Sequence, residues 1–203
     1  SPSWSPDGSA LAYMTGPDGG WEVHVVNADG TANTRLTNDP HMDMHPAWSP
    51  DGTKIAFQHG AAPSADIYVM NADGTGVPIN LTPGLPGATG PAWSPDGAKI
   101  AFASPQGSAE EIYVMNADGS SPVNLTNSDG RDSLPDWSPG GTHIAFSSDR
   151  DGEPQIYVMN ADGTNQTRRS DLLGTNANAS WSPDGTQIVF YSTRDGVSSK
   201  NIY

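Results

Sequence analysis

Short apolar segments separated by turn-forming residues recur along the whole chain. Between residues 46 and 82 they stand at residues 46–48, 54–57, 67–70 and 79–82, and the two central segments contain Ile-Ala-Phe and Ile-Tyr-Val-Met. A short run that is apolar throughout indicates a strand buried on both faces, whereas a strand with one face in water alternates apolar and polar residues. The pattern therefore predicts four strands in this region, covered on both sides.

The residues between these segments predict the connections. Ser-Pro-Asp-Gly at residues 49–52 and Asn-Ala-Asp-Gly at residues 71–74 are typical of tight turns, because Pro presets φ at the first turn position and Gly accepts positive φ after it. A longer link with Gly, Pro and Ser occupies residues 60–64. We therefore expect an antiparallel four-stranded meander.

The same unit is repeated along the chain. Trp-Ser-Pro-Asp-Gly stands at residues 4–8, 48–52, 93–97 and 181–185, and residues 137–141 carry a variant in which Gly140 replaces the Asp. The Trp residues of these motifs lie 44 or 45 residues apart. Four-stranded units that are buried on both faces and repeat about every 40–45 residues are typical of a β-propeller, in which blades stack around a central axis.

The repeat predicts a single all-β domain of five blades. We place the units at about residues 1–44, 45–89, 90–133, 134–177 and 178–203, the last of which is incomplete. We expect the motif Trp residues to be equivalent and buried where blades meet, since a large aromatic at constant period is a packing anchor. The chain is expected to be a processed or excised piece of a longer protein.

The incomplete last unit leaves two arrangements open. In the first, which we favour, the terminal blades stack on each other in a ring, because this buries both apolar faces without loss of association entropy. In the second, the blades form an arc whose ends are covered by a second copy or by the rest of a longer protein. In either arrangement we expect the backbone amides of the last blade to be the least protected from hydrogen exchange.

Composition narrows the classes of partner. The formal net charge is −14, with 9 Lys and Arg against 23 Asp and Glu. Nucleic acid and anionic membrane surfaces would repel such a chain, whereas basic proteins, neutral sugars and metal ions remain open. The chain has no Cys and no apolar run near the roughly 18 residues that span a bilayer, so we expect neither disulfides nor membrane insertion.

The repeat resembles a known family. Trp-Ser-Pro-Asp-Gly, followed by Ile-Ala-Phe, by Ile-Tyr-Val-Met-Asn-Ala-Asp-Gly-Thr and by Leu-Thr, is similar to the repeat of TolB-type (WD40-like) propellers over essentially the whole chain. The resemblance implies a bladed ring that serves as a docking platform, often outside the bacterial cytoplasm. Similar repeats form the propeller that gates the hydrolase domain of prolyl-oligopeptidase-type peptidases. The departures are Gly140 and a weakened repeat at residues 167–170.

The recurring turn carboxylates have two interpretations. They could form a ring of cation sites, or each Asp could stabilise its own turn by accepting hydrogen bonds from nearby backbone amides. The second is favoured, because turn chemistry alone explains the spacing and because Gly140 replaces one Asp without loss of the unit. Residues 149–152 resemble the start of a calcium loop, but Asn160 stands where such a loop needs a bidentate Glu, so we predict a strand connection there.

The most distinctive stretch outside the repeat is His-Met-Asp-Met-His at residues 41–45, which no other unit has at the matching place. In an extended strand, residues two apart point the same way, so His41, Asp43 and His45 are expected to share a face at the mouth of the central opening. Two imidazoles and a carboxylate can hold zinc or a similar ion. A general ligand contact is favoured over a metal because no further ligand is identifiable, and a solvated polar link is the simplest alternative.

Motifs for catalysis are missing from the sequence. It contains no Gly-x-Ser-x-Gly elbow, no His-Glu-x-x-His, no glycine-rich phosphate loop and no cysteine nucleophile. His24, His59 and His143 are predicted to be strand or loop residues. We therefore predict a protein that is not an enzyme and that holds no cofactor.

The predicted function is a non-enzymatic binding platform, most simply a protein–protein interaction propeller of a periplasmic, secreted or surface-attached assembly. Its contact surface is expected at the links before each innermost strand, because binding groups concentrate on loops held by a rigid scaffold. These links are residues 41–45, 87–90, 131–134 and 175–178. The alternatives are a carbohydrate- or metal-ion-binding module and the gating propeller of a peptidase. The predicted binding residues are His41, Asp43, His45, Arg131, Asp132, Asn176 and Asn178.

Overall fold

The structure is a computed structural model that describes residues 2–16, 20–107, 109–196 and 201–203. Its described secondary structure consists of β-strands in five sheets that follow one another along the chain. The strands of the first two sheets are β1 (Ser3–Trp4), β2 (Ala10–Thr15), β3 (Glu22–Asn27), β4 (Thr34–Arg35), β5 (Asp43–Trp48), β6 (Lys54–His59), β7 (Asp66–Asn71) and β8 (Ile79–Asn80). Those of the other three are β9 (Thr89–Trp93), β10 (Lys99–Gln106), β11 (Ala109–Asn116), β12 (Val123–Asn124), β13 (Asp132–Trp137), β14 (His143–Ser148), β15 (Gln155–Asn160), β16 (Thr167–Arg168), β17 (Asn176–Trp181), β18 (Ile188–Ser192) and β19 (Asn201–Ile202).

Each sheet is an antiparallel meander in chain order, which confirms the predicted blade. In the second blade Trp48 pairs with Ile55 and Val69 pairs with Ile79, so the connections fall where the turn residues predicted them. The first four blades have four strands and the last has three described strands. The fold class, an all-β propeller of five blades with an incomplete last blade, is thus confirmed. Among the described residues there is no helix of a length and apolarity that would cross a membrane.

The connections divide the propeller into two faces. The two tight turns of a blade lie side by side, as in the second blade, where Ala72 N–H donates to Thr53 O at 2.9 Å. We call this side the turn face. The longer connections meet at the opposite ends of the strands, where Gly60 N–H donates to Met42 O at 2.7 Å. We call this side, which carries the links before the inner strands, the link face.

Apolar side chains fill the four junctions between successive blades. Ala56 of the second blade packs in the junction with the third blade, whereas Ile55 and Phe57 pack in the junction with the first. This division explains why Ile-Ala-Phe is apolar throughout, because its Ala faces one neighbouring blade and its Ile and Phe face the other. The stacking of blades therefore accounts for the continuous apolar runs that predicted the propeller.

The motif Trp residues that occupy these junctions are Trp48, Trp93, Trp137 and Trp181. Trp93 also donates its Nε1–H to Ala47 O of the preceding blade at 3.2 Å. Trp4 differs, since it is 59% exposed on the side of the first blade that has no packed neighbour. The expectation that all motif Trp residues are equivalent and buried is therefore wrong: Trp137 is buried, Trp48, Trp93 and Trp181 are partly buried, and Trp4 is exposed.

The last and first blades do not repeat this packing. Among the residues that the structure describes, no hydrophobic cluster joins these two blades. Val189 of the last blade is 43% exposed, whereas its equivalents in the preceding blades are fully buried, namely Ala56, Ala101 and Ala145. The five blades form the favoured ring, since all five inner strands line one central opening. In the described part of the chain, however, the apolar stacking expected between the terminal blades is absent.

Candidate functional site

A bulge interrupts the inner strand of four blades at the same place. The register between β5 and β6 shifts between Met44 and Ala47, and corresponding shifts occur in the third, fourth and fifth blades. The residue at the bulge has a positive φ in each of them: His45 (φ 51°), Gly90 (φ 59°), Leu134 (φ 54°) and Asn178 (φ 59°). A conformation that non-glycine residues rarely adopt is thus imposed at one fixed point of each of these blades.

These bulge residues lie at the central channel. Two cavities of about 420 and 390 Å³ occupy it, and both are lined by His45, Gly90 and Leu134. Asn178 lines the first cavity, and Arg131 lines the second, on the side of the link face. The bulges therefore bring one chemically different residue from each of the four blades to the wall of the channel.

His45 is held in the channel wall by a chain of hydrogen bonds. Gln58 Nε2–H donates to Gly60 O at 3.0 Å, and His45 Nδ1 lies 3.0 Å from Gln58 Oε1. Because an amide oxygen can only accept, Nδ1 carries the proton and Nε2 keeps its lone pair. Burial lowers the pKa of His45 below its ordinary value, which keeps the ring neutral at neutral pH.

A carboxylate lines the same channel in the fourth blade. Asp136 stands where the second and third blades have Ala47 and Ala92, and its Oδ2 accepts a hydrogen bond from Trp181 N–H at 2.9 Å. Burial raises the pKa of Asp136 above its ordinary value. This carboxylate therefore contributes a partly buried acidic group to the channel wall that the neighbouring blades lack.

The first residue of the inner strand is polar and buried in three blades, and these residues are Asp43, Asp132 and Asn176. All three were predicted to bind a partner. Asp132 forms an ion pair with Arg150 at 2.8 Å, and Asn176 Nδ2–H donates to Gln155 Oε1 at 2.8 Å. The first contact fixes the start of the inner strand within the fourth blade, and the second fixes the start of the fifth blade's inner strand against the fourth blade, so each residue holds a link in place.

Asp43 lies beside two histidines and a second carboxylate. Its Oδ1 lies 2.8 Å from His59 Nδ1, and the centres of the His59 and His41 rings are 4.8 Å apart. Asp39 Oδ1 accepts a hydrogen bond from His41 N–H at 2.8 Å. Burial raises the pKa of Asp43 above its ordinary value. We call Asp39, His41 and His59 the histidine cluster.

The predicted common face of His41, Asp43 and His45 is wrong. Asp43 contacts His59 while His45 contacts Gln58, and these two partners are successive residues of β6 whose side chains point to opposite faces. The positive φ of His45 and the bulge of β5 break the alternation that the prediction assumed. His41 and Asp43 thus lie at the histidine cluster and His45 at the channel, and their part in binding stays a prediction.

The remaining predicted residues, Arg131 and Asn178, both lie near the channel. Arg131 is exposed, forms an ion pair with Glu110 and donates its backbone N–H to Asp149 Oδ1 at 2.6 Å. The backbone N–H of Asn178 donates to Ser147 Oγ at 3.1 Å in the preceding blade. The structure therefore brings His45, Arg131 and Asn178 to one region and leaves the other predicted residues outside the channel wall.

The recurring carboxylates of the turn face are engaged within their own turns. Asp51 Oδ1 accepts from Ser49 Oγ–H at 2.6 Å and from Thr53 N–H at 3.0 Å. The same arrangement occurs at Asp7, Asp96 and Asp184. Hydrogen bonds from neighbouring Ser side chains lower the pKa of Asp7 and of Asp184 to about 2. These contacts support turn stabilisation as the role of the repeated Asp.

Comparison with known families agrees with this geometry. The family described as TolB beta propeller domain matches residues 1–82 and 79–203, which together span the chain. The chain belongs to the TolB β-propeller family. The resemblance that the repeat carries is thereby confirmed. No curated protein matches this TolB-type propeller.

Two solved TolB structures are similar to this TolB-type propeller. A TolB from Agrobacterium tumefaciens is 28% identical with a TM-score of 0.83, and the match covers 95% of this chain and 69% of that one. TolB from Acinetobacter baumannii is 27% identical with a TM-score of 0.81, and the match covers 96% of this chain and 50% of that one. The chain therefore spans only part of both proteins. An oligogalacturonate lyase in complex with manganese, 17% identical with a TM-score of 0.72 over 99% of this chain and 60% of that one, shares the fold.

Three residues of the channel and the histidine cluster were not predicted from the sequence, namely Asp39, His59 and Asp136, whereas Leu134 lies in a link, residues 131–134, that was expected at the contact surface. Counting outwards along the β5–β6 hairpin from its turn places Asp43 opposite Gly60, and only the bulge shifts it opposite His59. A signal for the channel residues did exist. Aligned repeats place Leu134 at the same position as His45, and they place Asp136 where other units have a small residue.

Proposed function

We propose that this chain is a non-enzymatic protein-binding platform whose contact surface is the link face around the channel mouth, centred on His45, Leu134 and Asn178. The proposal rests on one observation. The side chain at one fixed backbone position, the bulge of the inner strand, differs from blade to blade. Four blades place an imidazole, a glycine, an isobutyl group and a carboxamide there, although the blades otherwise repeat many of the same residues. Variable side chains on a repeated scaffold are typical of a recognition surface.

The backbone conformation at this position strengthens the argument. A left-handed conformation costs a non-glycine residue roughly 1–2 kcal/mol, and such residues cluster at functional sites. A purely structural position of this kind would be served by glycine in every blade, as it is by Gly90 in the third. His45, Leu134 and Asn178 keep a side chain there despite the cost. Selection for side-chain contact with a partner accounts for this.

The surroundings of the channel mouth supply polar contacts for the same partner. In this proposal His41 and Arg131, both exposed, contact the partner directly. Asp43, Asp132 and Asn176 act by fixing the links that present those residues, since each is buried at the start of an inner strand. The net charge of −14 favours a partner segment with basic residues, because complementary charge speeds encounter and excludes wrong partners.

The platform is further proposed to act in a periplasmic, secreted or surface-attached assembly. Membership in the TolB β-propeller family supports this location. Fractionation of the source cell, followed by detection with an antibody against the propeller, tests it. Recovery with extracytoplasmic markers is expected, and recovery with cytoplasmic markers would contradict the proposed location.

Peptide selection tests the contact surface. Random peptides displayed on phage are selected on the immobilised propeller. The selected peptides are synthesised, and their affinities for the soluble native protein and its variants are measured by fluorescence anisotropy. Leu134→Asn removes the apolar side chain at the channel without new backbone strain, because Asn tolerates positive φ and already occupies this position in the last blade. Val123→Asn, at an exposed residue of the outer strand β12, is the matched control.

The expected result is a loss of affinity of about tenfold or more in Leu134→Asn, equivalent to about 1.4 kcal/mol, with no change in Val123→Asn. Peptides that bind both variants as tightly as the native protein would show that the channel mouth is not the contact surface. Peptides that lose affinity only in Val123→Asn would move the surface to the outer strands. A selection that yields no peptide above an empty support would contradict the platform itself.

A further inference from the structure

The histidine cluster combines the side chains that bind transition metals most often in proteins. Asp39, His41 and His59 each offer one ligand atom, and these atoms lie within 4.8 Å of one another. Asp39 lies beside both rings, with 3.3 Å from its Oδ1 to His41 Nδ1 and 3.7 Å from its Oδ2 to Nδ1 of His59, the ring nitrogen that faces Asp43. Two imidazoles with one carboxylate form a donor set suited to zinc and similar divalent ions.

In the fourth and fifth blades, the guanidinium group of an arginine occupies the region that corresponds to this cluster in the second blade. Arg150 of the fourth blade pairs with Asp132 at 2.8 Å, and its Cζ lies 4.6 Å from the ring centre of Tyr157. In the fifth blade Arg194 lies over the ring of Tyr203 in the same way, with 4.1 Å between Cζ and the ring centre. A permanent cation thus lies between the start of the inner strand and the aromatic ring of the third strand.

In the second blade a histidine takes this place. His59 lies between Asp43 and Tyr68, with 2.8 Å from its Nδ1 to Asp43 Oδ1 and 4.6 Å between the two ring centres. Within the part of the chain that the structure describes, the ion pairs of Asp39 and Asp43 are to histidines and to no Lys or Arg. Two carboxylates therefore lack the permanent positive charge that the equivalent arginine supplies elsewhere, and a bound divalent cation would supply it.

Asp43 provides the second observation that points to a ligand. It is completely buried, and its Oδ1 bonds to His59 Nδ1. A histidine that binds a metal through one ring nitrogen commonly donates the N–H of the other to a carboxylate, which fixes the ring and makes it more basic. Asp43 and His59 have this arrangement, because a proton on Nδ1 leaves the lone pair of Nε2 for a metal.

From these contacts we infer that Asp39, His41 and His59 bind one divalent transition-metal ion of the zinc type, with Asp43 as the positioning residue behind His59. Ligand atoms around a tetrahedral zinc ion lie about 3.3 Å apart, given metal–ligand distances of about 2.0–2.1 Å. The exposed His41 side chain, 60% accessible, has room to turn towards a metal bound at His59 Nε2. The cluster opens into a cavity of about 460 Å³, which leaves space for a water or a partner's side chain as a further ligand.

Calorimetric titration of the untagged, chelator-dialysed protein with zinc chloride tests the site. Native protein is expected to bind one equivalent. His41→Ala removes an exposed ligand that makes no buried contact, and Asp39→Asn keeps the Oδ1 that accepts the turn hydrogen bond while removing the charge. His24→Gln is the matched control, because His24 lies in the first blade and is bonded to Asn33 instead of the cluster.

Each ligand substitution is expected to weaken zinc binding at least tenfold, and Asp43→Asn is expected to weaken it by about 10- to 100-fold through His59. His24→Gln should bind as the native protein does. Cobalt(II) gives a second readout, since its visible absorption should appear in the native protein and be lost in His41→Ala. The absence of saturable binding, equal affinity in His41→Ala, or an equal loss in His24→Gln would each overturn the assignment. Circular dichroism confirms that each variant is folded.

Discussion

The two faces of the propeller use the same strands for different purposes. On the turn face, the Ser-Pro-Asp-Gly motif recurs with its Asp bonded inside the turn, and Gly97, with φ 71°, lies against Pro50 of the preceding blade. On the link face, the connections differ between blades, and the equivalent residues of the bulge range from Gly90 to His45. Repetition thus marks the face that holds the blades together, and variation marks the face available for recognition.

The role of a polar residue in a repeat can therefore be inferred from whether it recurs in the other blades. A carboxylate that recurs in register, such as Asp51, makes short-range turn contacts that any blade needs. A polar residue that occurs in one unit alone, such as His59, makes a contact that only its own blade has, here with Asp43. The repeated features are therefore expected to stabilise the fold, and the unrepeated ones to contact a partner.

The largest loss of stability is expected on substitution of the Trp that ends each inner strand next to the turn face. Trp93→Ala removes a side chain packed between the second and third blades, so we expect a loss of about 3–5 kcal/mol in the free energy of unfolding. Trp4→Ala should cost only about 0.5 kcal/mol, because Trp4 is largely exposed. Urea denaturation followed by circular dichroism measures both. Equal losses in the two variants would mean that the blade junctions do not dominate stability.

A smaller effect is expected where the turn motif is naturally altered. Gly140 has no positive φ, and the nearest atom to an added Cβ is Thr142 Oγ1 at 4.0 Å. Gly140→Ala should therefore stabilise the protein by about 0.4–1 kcal/mol by restricting the unfolded chain. Gly140→Asp should stabilise it further, because the new carboxylate can accept hydrogen bonds from Ser138 and Thr142 as the other turns do.

The pH dependence of unfolding separates two contributions to stability at residue 140, restriction of the unfolded chain and hydrogen bonds to the new carboxylate. Hydrogen bonds from Ser5 and Ser182 lower the pKa of Asp7 and Asp184 from 3.8 to about 2. A carboxyl whose pKa is lower in the folded state stabilises the fold above its ordinary pKa, and this stabilisation is lost as the pH falls through about 2. The advantage of Gly140→Asp over Gly140→Ala should therefore be constant near neutral pH and disappear on acidification. An advantage that is independent of pH would rule out the carboxylate as its cause.

The smallest stability effect is expected in the channel. Burial raises the pKa of Asp136, so ionisation of this carboxyl opposes folding at neutral pH. Asp136→Asn keeps an oxygen that can accept from Trp181 N–H and removes the charge. We expect a higher Tm than that of the native protein at neutral pH, and a difference that shrinks as the pH falls through the raised pKa of Asp136 towards the ordinary pKa of Asp. A lower Tm at neutral pH would show that the charge itself holds the fourth and fifth blades together.

The fold was predictable from the sequence because its determinants are local and repeated. Continuous apolar runs, turn motifs and the regular spacing of Trp each specify a blade without knowledge of its neighbours. The site was predictable only in part, because its geometry depends on a bulge. His45 was expected beside Asp43, yet one positive φ directs the two side chains to different faces and brings His59 to Asp43 instead. The open side of the first blade likewise depends on what packs against it, which the repeat pattern does not encode.

Hydrogen exchange of the propeller with a selected peptide bound tests whether the link face, and not the turn face, contacts a partner. The measurement reports on both faces at once. Exchange of backbone amides is compared between the free propeller and the peptide complex. We predict slower exchange in the links at residues 41–45, 131–134 and 175–178 and unchanged exchange in the turns at residues 49–52 and 93–97. Protection confined to the turns, with the links unaffected, would contradict the assignment of recognition to the link face.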